Sequence, residues 1–369
     1  MNAGKMLPSS NQIEMGPLSS VRPLNSWTMA EYKQYMRANA PALAVFRQGL
    51  SKPFMSPRPK SYDDLHFEQY ARFREIARRL SSEAHYYEKI GKYGLAASSA
   101  LDAVDLGVTI PKGGPMIDAL VGAAVESIGA KRLEEILPKL APYDMTRVAA
   151  RLDAIDRKRT SFADIMTEEA YNTAVITANL YGKADFRRQV MDPRNWIGLD
   201  SLRKPHQLWT DLDNAFCNKQ NMIYETKQYY ESVAREQKSP YTGESHVPVP
   251  SNPMTEGYSI YGSNITIDIR AAYTRAETIS IFLRTEVALR RYRFDNGSYP
   301  AKLSDVAPKY LKKVPIDPFG KGKPLKYKLI KNGKGFLLYS LGPDMKDNRG
   351  MAAQWSGQST VGDLVAGKW

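Results

Sequence analysis

Four histidines, one cysteine and scattered carboxylates are the residues of this chain able to catalyse or to hold a metal. Their spacing argues against most such uses. His85, His206 and His246 stand singly, and no H-E-x-x-H, G-x-S-x-G or glycine fingerprint assembles a nucleophile, a base or a phosphate cradle. His66 follows Asp63 and Asp64 and precedes Glu68, but at a helix start these side chains spread around the axis, where the aspartates serve the helix dipole. Cys217 has no histidine near it in sequence and reads as a packed thiol, since one cysteine makes neither a disulfide framework nor a thiolate cage. Gly113–Gly114 has no Lys-Ser/Thr after it and reads as a linker. Subtraction leaves one candidate ion site. The loop Leu341–Gly350 places Asp344, Asp347 and Asn348 between Gly342 and Gly350, and closely spaced oxygens in a pliable loop suit calcium better than magnesium. No catalytic or cofactor-binding set is expected.

The elements that must position this loop are mostly helical. Apolar residues at three- and four-residue steps predict a helix over Trp27–Phe46, then one from Tyr62 to Ile90 carrying Phe67, Tyr70, Phe73, Ile76 and Leu80. Pro53, Pro57 and Pro59 impose an extended connection between them. Ala96, Ala97, Ala100 and Ala103 line a helix over Leu95–Gly107 whose small side chains allow close approach of a neighbour. A further helix spans Met116–Leu137, one or two more lie within Met145–Tyr181, and another covers Leu208–Gln237. A large-residue helix, a glycine turn and a small-residue helix make an αα-hairpin of the tetratricopeptide type, without the full repeat pattern. Lys238–Gly262, with its prolines, glycines and asparagines, reads as a loop.

The C-terminal part changes character. Arg270–Arg293 is one amphipathic helix with the stripe Ala272, Ala276, Ile279, Leu283 and Val287, widened by Phe282 and Leu289. Asn296–Gly297 and Pro300 end it, and Ala301–Val306 makes a short second helix. Pro324–Lys331 alternates, Asn332–Gly333 supplies a hairpin turn, and Gly335–Leu341 returns. The hairpin is expected to pack Tyr327 or Leu329, and Leu338 or Tyr339, on the helix, with Leu283 at the centre of that contact. The resulting fold class is α+β, with an all-helical hairpin array followed by a small domain in which a long helix packs on a short antiparallel sheet. The expected parts are a lead with one helix (1–60), the hairpin array (61–237), a linker (238–268), the α+β domain (269–350) and a tail (351–369).

The order helix, "NGSYP", short helix, "PKYLKKVPIDPFG", hairpin, "YSLGPDMKDNRG" resembles the head domain of type II secretion major pseudopilins and related type IV pilin-like proteins. The likeness covers about 80 of the 369 residues. The remainder, including "ANAPALAVFRQGL", looks like large bacterial proteins that pair helical hairpins with such a tail. The resemblance implies a pilin-head fold and calcium at Asp344, Asp347 and Asn348, with backbone carbonyls such as that of Leu341. It also implies secretion or cell-envelope association. The chain departs from true pseudopilins in one respect: the corresponding helix is internal and carries Arg275, Arg284, Arg290 and Arg291, which are incompatible with a bilayer or a filament core.

Charge separates the remaining functional classes. The net charge is +13, and residues 270–350 hold 18 Lys+Arg against 7 Asp+Glu, a net of +11 that leaves +2 for the rest. Such a domain attracts acidic partners, nucleic acid or anionic lipid. With no run of 18 apolar residues and no leader-like segment after Met1, the chain as read is cytoplasmic; with an anchor upstream it would be an envelope protein facing outward. The reading reached is a non-enzymatic structural or interaction scaffold with a protein partner. The alternatives are an enzyme with a site between the two parts, or a basic nucleic-acid-binding protein.

Overall fold

The computed structural model describes residues 27–60, 68–181, 219–248, 253–356 and 359–369. Among the described residues eight α-helices come first: α1 (Met29–Leu50), α2 (Glu68–Lys89), α3 (Tyr93–Thr109), α4 (Met116–Ile136), α5 (Pro142–Asp156), α6 (Phe162–Tyr181), α7 (Lys219–Glu236) and α8 (Pro253–Asn296). Strands β1 (Lys326–Ile330), β2 (Gly335–Ser340), β3 (Gln354–Ser356), β4 (Ser359–Val361) and β5 (Leu364–Val365) follow. The fold is α+β, and among the described residues every strand lies after residue 325. Cys217, His66, Asp63, Asp64 and His206, with the expected helix starts at Tyr62 and Leu208, lie outside the described residues.

Local chemistry accounts for the helix boundaries. Thr28 caps α1 by accepting from the Glu31 N–H while the Glu31 carboxylate accepts from the Thr28 N–H, a reciprocal capping box. Pro142 opens α5 at a position whose N–H would have no helical partner. Ala96, Ala97, Ala100 and Ala103 of α3 are fully buried, as small-residue packing requires. On the facing helix, a Cβ added at Gly129 would sit 2.7 Å from both the Ala100 carbonyl oxygen and the Val104 nitrogen. Nothing larger than hydrogen fits between these two backbones.

The long helix α8 is the spine. Its Ile279, Leu283 and Val287 belong to a core built with Leu101 and Val104 of α3, Leu133 of α4 and Leu152 of α5. Ile269 and Tyr273 join a second core with Ile165 of α6 and Val233 of α7. Phe282, Ala288 and Leu289 face a third, with Phe319, Leu325, Leu338 and Leu364. The expected stripe therefore packs on the helical array, and the residues expected only to widen it hold the sheet. Leu283 is not the hairpin's partner, because on a helix buried all round the residue one position earlier points to the other layer.

Three other expectations are corrected. The stretch read as linker to residue 268 is helical from Pro253 onward; Pro253 stands at the helix's first position, where proline is tolerated. Ala301–Val306 is a single 3-10 turn, Leu303–Val306. The tail 351–369 carries the β3–β4 hairpin and supplies β5, the third strand of the antiparallel sheet β1-β2-β5. The expected hairpin forms, and its β1–β2 register sets Tyr327 opposite Leu338 and Leu329 opposite Phe336. Lys331, Asn332 and Gly333 take the left-handed conformation at the turn, which asparagine and glycine tolerate best.

Candidate functional site

The loop picked out by its oxygens is ordered by its own hydrogen bonds. Asp344 accepts from the Lys346 N–H at 3.0 Å, the Asn348 side-chain amide at 3.3 Å and the Gly362 N–H at 3.2 Å. Asp347 accepts from the Arg349 N–H at 3.0 Å and the Tyr339 hydroxyl at 3.1 Å, and pairs with the Lys326 ammonium at 3.1 Å. These contacts, the Arg349 N–H first and then Lys326, hold its carboxyl below the usual range. Sequence reasoning missed Asp363, a fully buried carboxylate that accepts from the Asn348 N–H at 3.2 Å and the Gly350 N–H at 2.6 Å. It lies 13 residues past Gly350 in the stretch read as tail, and nothing in its local sequence announces it. Among the described residues no group of three or more His, Cys, Asp or Glu side chains is placed to hold a metal ion. The carboxylates of this loop serve backbone N–H groups, the Asn348 amide, the Tyr339 hydroxyl and one lysine.

A second acidic centre lies where α4, α8 and the C-terminal segment meet. Glu134 of α4 and Glu286 of α8 bring their carboxyl groups within hydrogen-bonding reach of each other. The Gly367 N–H donates to Glu134 at 2.5 Å and the Trp369 indole N–H at 3.2 Å. Arg290, one turn along α8, donates to Glu286 at 3.4 Å. Burial first, and the neighbouring carboxyl second, push Glu134 up to about 8. Periodicity could not pair these acids, which stand 152 positions apart in the chain.

Buried ion pairs tie the array together. Arg159, after α5, donates to Glu126 of α4 at 2.6 and 3.1 Å, with both side chains under a tenth exposed. Burial acts to push Glu126 up, and Arg159 opposes it; Glu277 of α8 faces the same guanidinium. Arg284 of α8 reaches Asp156 of α5 at 2.7 Å. Arg47 of α1 bridges Glu83 of α2 and Asp102 of α3, and Arg151 and Lys158 from the α5 side reach Asp102 and Asp105. Glu83, Asp102, Asp105 and Glu126 are buried on α2, α3 and α4, and their cations come from α1 and from the α5 side.

The two histidines among the described residues, His85 and His246, stand apart. His85 stacks on Tyr32 at 5.7 Å and is pushed down to about 4 by burial and then by Arg132, so it is neutral at physiological pH. His246 lines a cleft of about 190 Å³ beside α7 with Tyr241, Glu244 and Arg270, and the Arg270 guanidinium there donates to the carbonyls of Gln237 and Ser239.

The surface of the C-terminal strand region is basic. Between Val306 and Pro343 stand nine lysines and one acid. That acid, Asp317, is buried and accepts from the Phe319 N–H, the Ser340 hydroxyl and the Leu341 N–H, fastening the turn to β2. Eight of the nine lysines are exposed, and the ninth, Lys326, is the partner of Asp347. No helix among the described residues is long and apolar enough to cross a membrane. No family model, curated protein or solved structure matches the chain.

Proposed function

We propose that the chain is a non-enzymatic interaction scaffold whose helical array holds α8 rigidly while the lysine-rich head recognises an acidic protein partner. One observation carries this reading: α8 contributes to three cores at once and leaves the basic hairpin on the outside of the third. Glu83, Asp102, Asp105 and Glu126 inside the array are answered by its own cations, whereas Lys321, Lys323, Lys328, Lys331 and Lys334 are exposed around a hairpin with no acid of its own. A pseudopilin-like identity for the head, a tetratricopeptide-like character for the array, and envelope or secretion association belong to the same proposal. The order of long helix, 3-10 turn and antiparallel hairpin is what speaks for the first of these. Calcium at Asp344, Asp347 and Asn348 is part of it too, and would have to compete with the Lys326–Asp347 pair.

The test is binding of labelled poly-glutamate by the full chain at about 50 mM and about 500 mM salt, with duplex DNA and anionic vesicles as comparators. Poly-glutamate should bind at low salt, be released at high salt, and be lost when Lys321, Lys323, Lys328, Lys331 and Lys334 are changed to Glu. Tighter binding to DNA would establish the nucleic-acid alternative instead. Binding indifferent to the charge reversal would remove the head as the recognition surface.

A further inference from the structure

The contacts of Glu134 and Glu286 leave one hydrogen-bond donor unaccounted for. Glu286 Oε1 is buried and no protein donor reaches it, although its neighbour is another carboxyl group. Two carboxylates in mutual contact and out of water repel each other; one carboxyl and one carboxylate instead make a strong O–H···O bond. A proton shared between the two side chains would supply that donor. We propose that Glu134, Glu286 and the Gly367–Trp369 segment form a proton-dependent latch, closed when the two carboxyls share a proton and released when both are ionised.

The geometry links protonation to the C-terminal segment through Glu134. It accepts both N–H donors from that segment, and Trp369 packs against both the helical core and the sheet core. Arg290 is the cation that faces the pair from α8; from the C-terminal segment come a peptide N–H and an indole, which do not titrate, while Lys368 between them is exposed. A second negative charge at the pair would face this single guanidinium, so the pair is relieved by moving apart and admitting water. Separation admits water beside Glu134, the residue that holds Gly367 and Trp369. The upward displacement of Glu134, to about 8, places the transition in the mildly alkaline range.

The experiment is ¹⁹F NMR of the full chain carrying 5-fluorotryptophan, with Trp369→Phe assigning one of the five signals. Between about pH 6 and about pH 10 the Trp369 signal should move to its solvent-exposed position with a single midpoint near 8, while the other four stay in place. Glu286→Gln imitates the protonated partner and should abolish the transition with Trp369 still docked. Glu134→Gln removes the second charge equally and should also abolish it, so either variant that folds decides the matter. A Trp369 signal that does not titrate in the parent, or that titrates unchanged in the glutamine variant, overturns the latch.

Discussion

Arg159→Met gives the sharpest test of how the helical array is held together. It leaves Glu126, 2% exposed, without the guanidinium that donates to both of its oxygens. A buried carboxylate without its cation will take up a proton in preference to remaining charged. Protonating a carboxyl of ordinary pKa 4.5 at pH 7 costs about 3.4 kcal/mol, at about 1.36 kcal/mol per unit. That figure caps the charge part of the loss and lies within the range of about 3–5 kcal/mol for breaking a buried pair from one side. At pH 5 the same step costs only about 0.7 kcal/mol, so most of the deficit should vanish on acidification. Arg159→Met with Glu126→Leu removes the orphaned charge, and should recover to within about 1–2 kcal/mol of the parent at pH 7. The assay is urea unfolding of parent, both single variants and the double variant at the two pH values. An Arg159→Met loss under about 1 kcal/mol, or one equal at pH 5 and pH 7, would refute the picture of a desolvated pair.

Leu283→Asp and Phe282→Asp should each cost several kcal/mol in thermal and urea melts, since both side chains are buried and neither core offers a partner for a carboxylate. Gly129→Leu should unfold the α3–α4 contact outright, read as loss of a cooperative melt, because its first carbon already meets two α3 backbone atoms at 2.7 Å. In the folded state Glu134 is raised above its ordinary 4.5, so the fold holds an extra proton; its stabilising share is complete below about 4.5 and is lost as pH rises through about 8. Urea midpoints measured across that window should fall in the parent and flatten in Glu286→Gln. Calcium titration followed by calorimetry should give heat that disappears in Asp344→Ala with Asp347→Ala; heat that persists places the ion elsewhere, and no heat in the parent leaves the loop as surface.

The sequence was most informative where a pattern is local. Alternation over Leu325–Leu329, the Asn332–Gly333 turn and the alanine face of α3 each depend on residues a few positions apart, and each stands as read. The α8 stripe is visible in the sequence, but not its neighbours: a helix buried on several sides has no polar face to show which layer each residue meets, so spacing alone does not send Leu283 and Phe282 to different cores. Breaker residues concealed the first part of α8, because Pro253 weighs as an interruption until it is known to stand at a helix start. The acidic centres were invisible for a different reason. Asp363 meets the 344–350 loop, and Glu134 meets Glu286, only through tertiary packing, and single acids in apolar surroundings leave no periodic trace.

Everything proposed for the head and the array rests on α8 belonging to both. Urea unfolding of the full chain should therefore be followed by two probes, helical ellipticity for the array and hydrogen exchange of β1 and β2 for the head. The account predicts coincident transitions, with Phe282→Ala and Leu283→Ala each shifting both probes together by about 2–5 kcal/mol. Two separate transitions, with Phe282→Ala moving only the sheet and Leu283→Ala only the helices, would contradict it.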